Sequence, residues 1–387
     1  MAQIVRLVGA RVAWDAIRSE RLDVTIGGGR ILPFDAKPEP STEIDLSGYL
    51  LLPGLINAHD HLEFNLFPRL GNGPWPNASA WAADIYRPER PPIREHLLVP
   101  KVDRLIWGGI KNLLSGVTTV AQHNPYDADV FTARFPVRVI RKFGWAHSLA
   151  FTTGVKSCAE RTPREWPFVI HAAEGTDDAA RNEIHRLKEA GLLEKRTVLV
   201  HAVGAGAAEL EMIRESGASI IWCPSSNRFT LGWTLAPDVV RSGLPIALGT
   251  DSALTAGGDI IDEMRGAGLA AEEIYPLVTT QAASVLRLRA GEGTIREHGV
   301  ADLIAVRHTG QTPAQSILNA QPALAMVRGR AMLLSDSLVP RIPKGFQRVH
   351  VEGRESRWIR ADVARLRANA ARAIGPEVRL AGRRICI

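Results

Sequence analysis

Between about residues 51 and 290 the chain keeps returning to one texture, a short continuous apolar run followed by an amphipathic segment. The runs are VTTVAQH (117–123), PFVIHAAEG (167–175), TVLVHAVG (197–204), SIIWCPSSN (219–227) and IALGTDS (246–252), and segments such as TDDAARNEIHRLKEAG and AAELEMIRESG separate them. A strand that is apolar on both sides must be covered on both faces, as in a parallel sheet packed under helices. This many alternating units predict an α/β fold closed into a (β/α)8 barrel, over residues 51–290. The two ends differ. Residues 1–50 (VRLVGARVAW, LDVTIGGGRILPF, TEIDLSGYLLLPG) read as short strands with turns, and GEGTIREHGVADLIAVRH and ALAMVRGRAML return to that texture after 291. The expected organisation is a TIM-like barrel, a small composite β-sandwich domain built from both termini (1–50 plus 291–345), and a basic C-terminal helical tail (346–387).

Length and charge narrow this picture. At 387 residues and 45% hydrophobic content, the chain can bury one large barrel with a small appended domain, or two to three ordinary domains. The formal net charge of +6 is local: from Arg341 onward there are 12 Lys and Arg against 4 Asp and Glu, a surplus of eight, so everything before carries −2. No nucleic-acid partner is therefore expected of the barrel. The tail segment RADVARLRANAARA reads as a helix whose arginines at 360, 365, 367 and 372 share no narrow stripe. It is expected to pack on the domain or on a second subunit, which leaves a homo-oligomer open, with a polyanion or membrane-surface contact as the rival reading. The absence of an apolar run of about eighteen residues and of a signal-peptide pattern predicts a cytoplasmic protein without membrane contact. Cys158, Cys223 and Cys386 are too scattered for a disulfide framework.

The chemistry begins in PGLINAHDHLEF (53–64). Side chains alternate along a strand, so His59 and His61 point to one side and can share a metal ion, while Asp60 points away and reads as structural. Taken alone, the pair fits a surface strand with a satisfied histidine better than a metal site. Other strand ends carry groups of the same kind: His123, His171, His201 and Asp251. In a parallel barrel all strand C-termini lie on one face, so these residues converge.

The motifs PGLINAHDH, HAAEG, LVHAV, CPSSNRFTLG, LGTDS and HGVADLIAV, in this order, make nearly the whole chain resemble the amidohydrolase superfamily, in its branch of cytosine deaminases, guanine-type deaminases and chlorohydrolases. The resemblance implies a mononuclear Zn2+ or Fe2+ site held by His59, His61, His171 and Asp251, with water completing it. It also implies that Glu174 shuttles a proton from that water to the substrate nitrogen, that His201 hydrogen-bonds the water or the developing oxyanion, and that Asp251 doubles as base. The competing role for Glu174 is as N-cap of the helix beginning near Thr176, a role that Asp177 or Asp178 can fill instead. Asn227 is expected to fix the loop near His201.

The substrate-facing candidates are less determined. Glu63 either meets a cationic or amide group of the substrate or pairs with a base at the mouth. His123 orients substrate or packs against the site, and His147 is a candidate of the same kind. The segment FNLFPRLGNGPWPNASAWAADIYRPERPP, with Trp75, Trp81 and Tyr86, is expected to lie over the mouth or to be pinned to its rim. Only 47 residues separate His123 from His171, too few for two strands with full crossovers, so VRVIRKFGWAHSL supplies the third strand or, in its second half, the fourth. The expected activity is metal-dependent hydrolysis of a non-peptide C–N bond in a small molecule, by deamination. The alternatives are a dinuclear, hydantoinase-like cyclic amidase bridged through Lys156, and a non-catalytic binding barrel.

Overall fold

Eight short strands run through the middle of the chain in one direction: β1 (Leu55–Asp60), β2 (Val117–Gln122), β3 (Arg138–Val139), β4 (Gly144–Ser148), β5 (Phe168–Ala172), β6 (Thr197–His201), β7 (Ser219–Trp222) and β8 (Ile246–Leu248). The computed structural model describes residues 4–40, 42–339 and 344–386. β1, β2 and β3 pair in parallel in the order β3-β2-β1, and β4 to β8 pair in parallel in chain order. Every residue of β1, β2, β5, β6, β7 and β8 is buried, which is why these strands read as continuous apolar runs. Alternation sorts their sides: Val169, Val198 and Val200 pack with Ile56, Ala58, Ile221 and Ala247, while Ile170 and Leu199 pack under the helices.

β8 returns to β1. Asp60 and Asp251 form a parallel bridge, and the amides of Thr250 and Asp251 both donate to the His59 carbonyl, at 2.9 and 3.1 Å. Gly249 lies so close that a Cβ there would stand 2.7 Å from that of His59, so this crossing admits no side chain. The short stretch before His171 is accommodated by omission. VRVIRKFGWAHSL carries both β3 and β4, joined by residues 140–143 without a helix, and the helix Val155–Arg161 follows before β5. The third strand is therefore a two-residue stub in the first half of that stretch, and the fourth lies in its second half.

Asp60 anchors this end of the fold. Its carboxylate takes Lys111 Nζ at 2.9 Å, Asn112 Nδ2 at 2.7 Å and Asn65 Nδ2 at 2.8 Å, and Lys111 Nζ also donates to Thr250 Oγ1 at 3.1 Å. The helix Lys101–Leu114, β1 and the turn after β8 are thereby joined through one buried charge pair.

At the termini, Tyr49–Pro53 pairs antiparallel with Leu303–Arg307, which pairs with Leu324–Val327. A second sheet holds Ile4–Val8, Val24–Gly27, Arg30–Ile31 and Thr42–Asp45. Side chains of both sheets, among them Leu7, Val24, Ile26, Leu51, Leu303 and Leu324, share one apolar cluster. The tail differs from its reading as a helix alone. Its helix is present at Val363–Ile374, but Gln347–Val351, Arg357–Ile359, Arg379–Leu380 and Arg383–Cys386 are strands of the larger sheet. These strands are short and place charged residues among the apolar ones, so they show no apolar run. The helix buries Val363, Leu366 and Ala370, and Arg365 and Asn369 both bind Asp103 of the helix Lys101–Leu114, at 2.9 and 2.6 Å. It packs on its own chain. The expected 345/346 junction falls beside residues 340–343, which lie outside the described residues. Among the described residues no helix is long and apolar enough to cross a membrane.

Removing one partner of a buried ion pair leaves the other charge without compensation. Lys111→Met is expected to destabilise the fold by about 3–5 kcal/mol in denaturant unfolding, with part recovered in Lys111→Met/Asp60→Asn. A loss below about 1 kcal/mol would show that the pair does not hold β1 to its helix.

Candidate metal centre

The ends of β1, β5 and β8 bring four donors together. His59, His61, His171 and Asp251 each offer one ligand atom, all within 4.8 Å of one another and all buried. His59 Nε2 lies 3.2 Å from His171 Nε2, and Asp251 Oδ1 lies 3.5 Å from both His59 Nε2 and His61 Nε2. Donors placed about 2.1 Å from an ion at tetrahedral angles stand about 3.4 Å apart, so the spacing already present is that of a coordination shell. The donors are in the right protonation state as well. Burial pushes the His61 and His171 imidazoles below their usual value, so both are neutral near pH 7. Burial would raise the Asp251 carboxyl, but its contact with His59 and the fields of His201 and His61 outweigh this and hold it well below the carboxylate range. The set suits a divalent metal.

A second layer aims these donors. His171 Nδ1 meets the His147 carbonyl at 2.8 Å, an acceptor that fixes the proton on Nδ1 and leaves the Nε2 lone pair for the centre. Asp251 Oδ2, the oxygen turned from the histidines, accepts from Ser226 Oγ at 2.6 Å and Thr255 Oγ1 at 3.1 Å. Four residues here have positive φ without being glycine: Ala173 (51°), His201 (77°), Ala202 (53°) and Asp251 (55°). Such backbone is unfavourable for side chains with a Cβ and persists only where surrounding contacts hold it.

Glu174 and His201 form the other half of the site. Glu174 Oε1 is 3.5 Å from His201 Nε2, and the two join Asp251 in a second converging group. Burial, then the charges of Asp251 and Glu183, raise the Glu174 carboxyl well above its usual range, which favours its acid form. Glu174 is not a helix cap: Asp177 caps Asp178–Glu189 by accepting from Ala180 N. Burial pulls His201 down to about 4, and its Nδ1 meets Asn227 Oδ1 at 2.7 Å. In that tautomer His201 Nε2 presents a lone pair, so it accepts from a water or from Glu174; donation to an oxyanion requires it first to gain a proton. Asn227 sits where it was expected.

The remaining candidates divide. A cavity of about 390 Å3 opens over the centre, lined by His61, Trp81, Tyr86, His147, Phe151 and Glu174 among others. Trp81 and Tyr86 come from the long segment after β1, whose helix Ala78–Ile85 lies over the mouth, and Ala78 N donates to the Glu174 carbonyl. His123 is buried against the His171 ring, 4.4 Å between centroids, and bonds the Ala146 carbonyl at 3.0 Å. It packs behind the ligands and lies outside the cavity lining. Glu63 is likewise outside that lining. Its Oε2 accepts from Gln122 Nε2 at 2.7 Å, and its backbone carbonyl accepts from Arg104, so an amide inside the fold holds the carboxylate, and neither a substrate-facing position nor an ion pair at the mouth is found. Lys156 is exposed on the helix Val155–Arg161, well away from a bridging position at a strand end.

Ser226, Thr255 and Glu183 were not anticipated. Glu183 Oε2 accepts from Ala173 N at 2.9 Å and holds the strained turn that carries Glu174. Ser226 lay in the quoted SSN, and Thr255 stands one helical turn beyond Asp251, but pairing them required the fold.

Three imidazoles and one carboxylate at parallel strand ends, with a second carboxyl group raised toward its acid form beside them in a cavity, define a metal-centred hydrolase. The chain is similar to deaminases of the amidohydrolase superfamily in sequence, and to its deaminases and chlorohydrolases in fold. The profile of the Amidohydrolase family matches residues 154–332. The 5-methylthioadenosine/S-adenosylhomocysteine deaminase of Pyrococcus horikoshii is 26% identical over 78% of this chain and 86% of its own. The 5'-deoxyadenosine deaminase of Methanothrix thermoacetophila is 24% identical over 78% and 85%. Among solved structures, a zinc-bound adenosine deaminase from Xanthomonas campestris superposes with a TM-score of 0.68 at 19% identity, covering 96% of this chain and 97% of its own. The zinc complex of atrazine chlorohydrolase from Arthrobacter aurescens superposes with a TM-score of 0.71 at 19% identity, covering 96% and 100%.

His171→Asn is expected to abolish stoichiometric metal binding by elemental analysis. Ser226→Ala, which frees Asp251 Oδ2 from one of its two hydroxyls, is expected to weaken metal affinity about 10- to 100-fold in chelator competition with the fold intact. Full metal content in His171→Asn would remove it from the ligand set.

Proposed function

We propose that the protein is a hydrolytic deaminase of 6-aminopurine nucleosides that uses one zinc ion per chain. The observation that carries this reading is the pairing of a donor set at coordination spacing with Glu174, whose carboxyl burial raises, facing the same cavity. His59, His61, His171 and Asp251 would hold the metal, which when bound would supply a water acidified toward neutral pH. Asp251 and His201 Nε2 take up the proton of the attacking water, and Glu174 gives its own to the purine ring nitrogen. The proton taken from the water then passes to the amino group, which leaves as ammonia and not as an anion, while the hydroxyl proton of the adduct returns to Glu174 as the carbonyl forms. Trp81, Tyr86, Phe151 and Leu254 offer the flat apolar surface that a purine needs. An adjoining cavity of about 250 Å3, with Asn77, Ser79, Glu183 and Arg186, supplies polar groups for a sugar. The relatives named for 5'-modified adenosines support that choice of substrate over a triazine.

The reading extends to architecture. Supported by the Asp60–Asp251 bridge, the eight parallel strands form one closed barrel. Supported by their shared apolar cluster, the two outer sheets form one β-sandwich from both termini, with the tail strands as its extension. The lone lysine candidate lies on the surface, which supports a single metal over a bridged pair. The three unpaired cysteines support a reducing, cytoplasmic setting.

Ammonia release is expected from adenosine and its 5'-deoxy and 5'-thio derivatives, and not from cytosine, triazines or hydantoins at comparable kcat/KM. Glu174→Gln is expected to lose about 100-fold or more in kcat while keeping its metal and its melting temperature. If that variant lost the metal but kept its activity per bound ion, Glu174 would be structural.

A further inference from the structure

A second cavity, of about 1010 Å3, lies at the opposite end of the parallel strands from the metal centre. Its walls come from residues 139–142, which lead into the N-terminal end of β4, from Glu165 and Trp166 just before β5, and from residues 286–298 after the last barrel helix. Arg141, Lys142, Arg289, Arg296 and Arg328 line it, and none of these side chains makes an ion pair or a hydrogen bond with a described residue. The acids beside them are mostly engaged. Glu292 pairs with Arg138 at 2.7 Å, Glu297 Oε1 accepts from Phe34 N at 2.7 Å, and only Glu165 is free of a partner among the described residues. The chain as a whole is nearly neutral outside its tail, so this concentration of uncompensated cations in one concave space is not a reflection of composition.

Five cations that face a bounded cleft repel one another and raise the cost of the empty state, and a compact polyanion relieves that repulsion through several charge-assisted hydrogen bonds at once. From this we infer that the cleft binds a polyphosphate group, carried by a nucleotide or as the inorganic anion. Guanidinium groups donate to phosphate oxygens in pairs, which fits four arginines better than a row of lysines would. Trp166, half-buried in the wall, offers one face to a base if the phosphates belong to a nucleotide. The charges surround a concavity and do not extend as a line along the surface, which favours a small ligand over a nucleic-acid strand. The site is independent of the chemistry at the metal end.

The test is calorimetric titration of the zinc-loaded protein with tripolyphosphate and, separately, with ATP, without magnesium and at 0.15 M salt, with zinc content verified afterwards. Saturable 1:1 binding is expected, weakened at least about tenfold in Arg289→Ala/Arg296→Ala, while melting temperature and turnover are unchanged. Binding of both probes assigns the site to the polyphosphate itself, and binding of ATP alone assigns it to a nucleotide. Binding that survives the double variant would place the anion elsewhere, the metal centre included, and overturn the inference. Absence of binding by either probe, or equal binding of single-stranded RNA with a steep salt dependence, would overturn it as well.

Discussion

The structure is organised around one cluster, the donors of His59, His61, His171 and Asp251, which lie within 4.8 Å of one another with His59–His171, His59–Asp251 and His61–Asp251 at 3.2 to 3.5 Å. Nothing in a single strand can set it. It exists because parallel strands end on a common face, because β8 crosses β1 where only glycine at 249 fits, and because Asp60 and Lys111 clamp β1 to its helix below the ligands. Burial then does two jobs at the same place. It lowers the His61 and His171 imidazoles, so they present lone pairs, and it raises Glu174 toward its acid form within the same cavity.

The site is held against local preference. Asp251 and His201 occupy left-handed backbone, and their side chains are fixed from behind by Ser226, Thr255 and Asn227. Glu183 performs the same service for Ala173 through its backbone amide. Ser226 and Asn227 lie on one helix, Pro224–Leu231, so its displacement would be felt by both Asp251 and His201. The mouth helix is tied in too, since its first amide donates to the Glu174 carbonyl. Substrate contacts and the proton-carrying residue are thus mechanically joined.

Much of this was legible in the sequence because it is written in local patterns. β5 and β6 are continuous apolar runs that end in His171 and His201, and a parallel sheet requires that pattern. The His59 and His61 pair, Asp251 and Asn227 could be placed for the same reason. What escaped were relations between distant residues. Ser226 and Thr255 look like ordinary hydroxyls until Asp251 lies between them, and Glu63 shows its internal partner Gln122 only once β1 and β2 pair. The tail strands escaped because two to five residues with charges among them carry no periodicity to read. The basic cleft was hidden by averaging, since its arginines come from distant stretches of a chain segment whose net charge is close to zero.

The central claim is that four side chains hold one ion that is needed for hydrolysis of a C–N bond. Titration of zinc into metal-depleted protein, with ammonia release from adenosine followed at each addition, tests it most directly. The account predicts that activity rises in proportion to bound zinc and saturates at one ion per chain. Full activity in the depleted protein, or a rise that begins only after the first ion is bound and is complete at two, would contradict it.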